Sequence, residues 1–218
     1  PPPVPAADQD ASTPDELARV RFEWLRRVEA EYQSAAIAQH FTLWLIQIGA
    51  SPDLISLGLR ITQDEVDHSH LSHQVYLAAG GTELPNIDRS TLELRRHYGR
   101  LEDDVLRVGV RFFCLGETVA VPLFSHMRKT CTEAVAREAL DRILVDEVRH
   151  RDFGWTLLEW MMDLPIADEL REILKAQLPR MIAELYNAYG DPSADHSLAE
   201  VRPTVESAQV SDIERAWG

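Results

Sequence analysis

Apolar residues return every three or four positions through Leu17, Val20, Trp24, Val28, Ala35, Ala38 and Leu45, which predicts an amphipathic helix over about 14–48. Thr13-Pro14-Asp15-Glu16 reads as its capping box and Gly49 as its stop. Ser51-Pro52-Asp53 opens a second helix, over about 52–79, closed by Gly80-Gly81. So short a connection implies an antiparallel hairpin. Pro85, Asn86, Asp88 and Gly99 mark 80–101 as a crossover, with one helical turn expected near 91–97. A third helix is expected over about 102–128, kinked at Pro122, and a fourth over about 132–162, ending at Asp163-Leu164-Pro165. A fifth covers about 166–189, bent at Pro179 and stopped by Gly190.

Nothing reads as a strand, a repeat or a second domain. The expectation is an all-α fold: a four-helix bundle with a long crossover between helices two and three, plus a fifth helix, in one domain over 13–190. Residues 1–12 are expected to be disordered. Residues 191–218 read as an irregular tail with a short last helix opened by Ser211.

A length of 218 residues with 45% hydrophobic and 27% charged residues is ordinary for one globular domain. The formal net charge of −14 argues against nucleic acid as a partner. No uninterrupted apolar run approaches the length of a membrane span. Cys114 and Cys131 make no disulfide framework and read as free thiols in a reducing compartment, hence a cytoplasmic location.

Against this helical background two segments repeat a motif. Asp64-Glu65-Val66-Asp67-His68 and Asp146-Glu147-Val148-Arg149-His150 both read D-E-x-x-H. Each follows, by about thirty residues, an isolated Glu in an apolar run: Glu31 and Glu117. Residues three apart share a helix face, so Glu65 with His68, and Glu147 with His150, can reach one point together. Counted from the hairpin turns at about 1.5 Å per residue, Glu31 and Glu65 climb to similar depths, as do Glu117 and Glu147. One E-x-x-H is weak evidence. Two, each preceded by Asp and each matched to an upstream Glu, form the ligand set of a two-metal site in a helix bundle. Glu65 and Glu147 are expected to bridge, Glu31 and Glu117 to be terminal, and His68 and His150 to hold one metal each. Asp64 and Asp146 are expected to accept from the free ring nitrogen of the opposite half's histidine. Glu29 competes with Glu31, but lies on another face of the helix.

With Glu31 in EYQSAAIA, DEVDH at 64–68, Glu117 in LGETVAV and DEVRHRDFGW at 146–155, the chain resembles the ferritin-like superfamily of dimetal-carboxylate proteins. The match spans about residues 14–162. Size, ligand set and last segment look similar to its small oxygenase and oxidase branch, which includes aldehyde-deformylating oxygenases. The resemblance implies two iron ions, with manganese as the alternative, O2 as co-substrate and an external electron donor. Departures prune the superfamily. There is no Cys-x-x-Cys pair and Ala120 replaces a further carboxylate, unlike rubrerythrins. Ile143 stands where arylamine oxygenases carry a third histidine. Manganese catalases lack the Glu that Glu147 supplies.

Helical phase puts Ala35, Phe113, Cys114, Val121, Phe124 and Ile143 around the expected metals, as an apolar cavity for a small organic substrate. His40, His70, His73, His97, His126 and His196 are expected to lie off the site. The expected function is an O2-dependent di-iron oxidase or oxygenase. The alternatives are a ferroxidase or iron-storage protein and, further off, a dimanganese or peroxidase-like protein. A homodimer is compatible with the oxidase or oxygenase and disfavours an iron-storage shell; the fifth helix could form its contact or a lid.

Overall fold

A computed structural model describes residues 14–190 except Tyr98. The described residues form helices and loops, without strands. The helices are α1 (Pro14–Gln47), α2 (Pro52–Ala78), α3 (Leu101–Val108), α4 (Glu117–Thr130), α5 (Ala134–Met162) and α6 (Ala167–Gly190). Between α3 and α4 a π-helical segment, Gly109–Gly116, makes Leu101–Thr130 one continuous rod. The capping box at Thr13, the expected disorder of 1–12 and the tail 191–218 lie outside the described residues.

The first hairpin forms as its turn chemistry dictates. Gly49 takes φ of 72°, a left-handed conformation that glycine adopts without strain, and the amide of Ala50 returns to the carbonyl of Leu45. The Ser51 hydroxyl then accepts from the amide of Leu54 and caps α2. α1 packs along α2, the third rod packs along α5, and the two pairs meet through α2 and α5. At one point α1 and α2 nearly touch: a Cβ on Gly58 would lie 2.5 Å from the hydroxyl oxygen of Thr42.

The crossover differs from expectation. Its one helical turn is Arg89–Thr91, earlier than the 91–97 anticipated. Asp88 accepts from the backbone amide and hydroxyl of Ser90 and nucleates the turn there. Residues 96 and 97 are instead tied to buried Asp104, which accepts from Arg96 Nε and the His97 amide, so this stretch stays non-helical.

The third rod departs most. Glu117 donates its amide to the carbonyl of Phe112, five residues back, where regular α-helix would use residue 113. The wider turn shifts the preceding residues out of 3.6-residue phase, and Cys114 packs in the apolar core. Pro122 lies inside α4. By length and composition Leu101–Thr130 could cross a membrane, with a window of mean hydropathy 1.4. Single charged residues interrupt it, which is why no unbroken apolar run announced it. Here the rod packs along α5 and carries buried Asp104.

Two apolar clusters form the core. One gathers Phe41, Leu45, Ile61, Phe113, Cys114, Phe153 and Leu157; the other gathers Trp24, Val75, Phe124, Leu140 and Ile143. On each of the four rods a polar stretch separates a residue of one cluster from a residue of the other. That layer runs through Glu31, Glu65 with His68, Glu117, and Glu147 with His150.

Candidate metal centre

Glu31, Glu65 and Glu147 are buried, Glu117 is half-buried, and both His68 and His150 are fully buried. One oxygen or nitrogen from each of Glu31, Glu65 and His68 falls within a 4.8 Å group, and so does one from each of Glu65, Glu117 and His150. Glu65 therefore belongs to both groups. Glu147 lies between the same imidazoles, with its oxygens 3.7 Å from Nδ1 of His68 and 3.5 Å from Nδ1 of His150. The matching distances from Glu65 are 3.6 and 3.3 Å. The imidazole rings are 5.7 Å apart. All six side chains anticipated as ligands thus meet in one layer.

The imidazoles are held from behind. Nε2 of His68 lies 3.2 Å from Asp146 Oδ2, and Nε2 of His150 lies 3.3 Å from Asp64 Oδ2. A carboxylate only accepts, so each Nε2 carries the hydrogen and each Nδ1 turns its lone pair inward when the ring is neutral. Both Nδ1 atoms, and Oε2 of Glu65, are buried without a hydrogen-bond partner. Such atoms are rare in a well-packed interior. Their convergence fits a cation. Four carboxylates also match the charge of two dications.

Without a cation the layer balances its charge with protons. Burial, and then the charge of Glu65, push Glu31 up to about 8. Burial, and then Glu147, push Glu117 well above the usual carboxylate range. Burial opposes charge on the imidazoles, but contact with carboxylates outweighs it. Glu65 raises His68 to about 9, and Asp64 with Glu147 and Glu65 raises His150 to about 12. Burial also works against ionised Glu65, yet His150 and His68 hold it down to about 2.

Arginines brace the outer side, and the sequence reading missed them. Arg149 reaches both Asp64, at 2.7 Å, and Asp146. Arg60 pairs with Asp64 at 3.0 Å and Arg142 with Asp146 at 3.2 Å, each from one turn earlier on its own helix. A signal was present: the repeat is longer than D-E-x-x-H and reads R-I-x-x-D-E-V-x-H at both 60–68 and 142–150. Its isoleucines, Ile61 and Ile143, are buried in opposite apolar clusters.

The remaining expectations divide. Glu29 accepts from the backbone amide of Asn86 and so faces the crossover. His70 is exposed and His73 stacks on Tyr76. The six residues expected to line one cavity do not make one wall. Phe113 and Cys114 pack in the first cluster, where Phe113 lies 5.0 Å from Phe41 and 5.2 Å from Phe153, ring to ring. Phe124 and Ile143 belong to the second cluster; Ala35 is buried and Val121 half-buried. The reason is the two-cluster core itself, which lies on both sides of the polar layer. Burial pushes the Cys114 thiol up to about 12, so it is no ready nucleophile. A cavity of about 690 Å³ lies elsewhere, between the crossover, α3 and α6, lined by Arg95, Arg107, Arg111, Phe112 and Met181 among others.

A second omission is Tyr189, on α6: burial, and then the charges of Glu117, Glu147 and Glu31, raise its phenol above the ordinary value. Nothing local in the sequence marks it, because its position depends on how α6 docks.

No protein-family model, no curated protein and no solved structure matches this chain.

Proposed function

We propose that this is a ferritin-like dimetal-carboxylate protein that uses an iron pair to activate O2 and oxidise a small, largely apolar organic molecule. The observation that carries this reading is the pair of buried, partnerless Nδ1 atoms facing Glu65 and Glu147, with Nε2 of each ring held by an aspartate from the other half. Glu65 and Glu147 would bridge the ions, Glu31 and Glu117 would each close one end, and His68 and His150 would each bind one ion. A bound iron pair supplies the electrons that O2 needs, and an external donor restores them. The chain's own part is to fix the six donors and exclude water through the two apolar clusters.

The test is anaerobic titration with Fe(II), followed by exposure to O2. Two irons retained per chain and O2 consumed on mixing is the expected result. Fewer than one iron per chain, or iron that leaves O2 untouched, would defeat the proposal. Size-exclusion chromatography of the same sample separates it from iron storage, which needs a shell of many subunits.

A further inference from the structure

The aspartates and arginines brace the histidine side of the layer. The opposite side, where α1 faces the third rod, has a different construction. Arg27 lies one turn before Glu31 on α1, with about a fifth of its side chain exposed. Its guanidinium sits over the rings of Phe124, at 4.7 Å, and Trp24, at 5.4 Å. Its polar contacts are poor: Met127 Sδ at 3.5 Å, and Glu31 Oε1 at 3.7 Å, beyond hydrogen-bond range. A guanidinium has five N–H donors, and among the described residues they meet no oxygen acceptor within hydrogen-bond range.

α6 packs against the same third rod. It runs beside the third rod with a ladder of side-chain contacts: Arg100 with Glu169, Arg107 with Gln177, Arg111 with Glu184. Beyond the last of these pairs, Glu117 follows Arg111 by six residues and Tyr189 follows Glu184 by five. Tyr189 is half-buried, and the charges of Glu117, Glu147, Arg27 and Glu31 act on its hydroxyl. Half-buried Glu117 marks the same face as the less covered one.

We infer that the molecule oxidised here bears a carboxylate, which the Arg27 guanidinium holds where α1 faces the third rod, with the Tyr189 hydroxyl as a second donor and the molecule's own apolar body against Phe124. The inference rests on the proposed dimetal oxidase and names its substrate class. If Glu31 spends its charge on a cation, Arg27 is left more in need of an anion. The competing role, Arg27 as a mere counter-charge for Glu31, predicts no ligand preference.

Octanoate and octanamide, equal in length and differing in charge, separate the two by calorimetry on the full chain loaded anaerobically with Fe(II). Octanoate is expected to bind about tenfold or more tightly than octanamide, and Arg27→Gln to remove that preference while leaving octanamide unchanged, as the range for a charged hydrogen bond implies. Arg27→Lys should retain part of it. If Arg27→Gln does not fold by circular dichroism, Tyr189→Phe carries the test, with a several-fold loss for octanoate alone. Equal affinity for both probes overturns the inference, as does an octanoate preference that survives Arg27→Gln, which would mean the carboxylate binds the metal directly. Iron content measured on the same samples keeps the two readings apart: low iron with a preference lost in Arg27→Gln indicts the metal site, and full iron without any preference indicts Arg27.

Discussion

Nε2 of His68 lies 3.2 Å from the carboxylate of Asp146, seventy-eight residues further along the chain. His150 and Asp64 repeat the relationship in reverse at 3.3 Å. Each half of the sequence thus orients the imidazole of the other half. Removing one aspartate hydrogen bond should weaken metal binding without removing a ligand. Asp146→Asn is expected to lower affinity for Fe(II) or Mn(II) about 10- to 100-fold, as read by chelator competition. Unaltered affinity would mean the aspartate does not orient the ring.

Arg149 joins the two aspartates, so its loss should loosen both imidazoles at once. Arg149→Gln and Asp64→Asn are expected to be non-additive in metal affinity, because they act on one network. Strict additivity in a double-mutant cycle would show that the arginine only decorates the surface.

Glu29 and Glu31 make a control pair on one helix. Glu31→Gln should cost at least one of two metal ions, measured by elemental analysis. Glu29→Gln, at a carboxylate that accepts from the Asn86 amide, should leave metal content unchanged. Equal loss in both would remove Glu31 from the site.

Metal-free protein should respond to pH in a direction that metal reverses. Glu31, raised to about 8, is still protonated in the fold at a pH where the unfolded chain has ionised it. Its effect is to lower stability as pH rises from about 4.5 towards 8. His68, raised to about 9, stabilises fully below the unfolded value near 6.5 and loses that contribution as pH climbs through 9. Glu65, held at about 2, acts oppositely: its contribution is present above 4.5 and lost as pH falls towards 2. Thermal melts of chelator-treated protein should therefore peak near pH 5–6 and decline towards 9. Metal displaces the protons on Glu31, Glu117, His68 and His150, so affinity should rise with pH over that range and proton release should accompany binding. A metal-free Tm that rises from pH 6 to 9 would contradict the proton-balanced layer.

Gly154 lies one turn after His150, and a Cβ there would sit 2.4 Å from the backbone carbon of Phe113. Backbone cannot step aside as a side chain can, so Gly154→Ala should push the π segment off α5. A loss of about 1–3 kcal/mol in stability, with weakened metal binding through displaced Glu117, is expected. Gly116→Ala is the contrast: its Cβ would meet only the Arg111 carbonyl at 3.5 Å, an ordinary contact. A denaturant series on both variants decides, and equal behaviour would mean that the close approach is not maintained in solution.

Helix positions were legible because local chemistry sets them. Ser51, Gly49 and Gly80 act within a few residues of themselves, and the apolar period of 3.6 needs no partner. The six candidate ligands were legible for a related reason: E-x-x-H spacing and the depth count from each turn are properties of single helices. Even the arginine brace was there to be read, in the longer repeat of Arg60 and Arg142. The π segment was not. An i to i−5 turn before Glu117 is less favourable than regular helix, and what holds it is its packing against α5 at Gly154, which no local pattern records. Nor was Tyr189 readable, since where α6 lies is set by its packing on the third rod, through pairs such as Arg107 with Gln177 and Arg111 with Glu184. What a residue does within one turn of its own helix is written in its neighbours along the chain. Which helix it meets across the core depends on the packing of all of them, and that the tertiary structure alone decided.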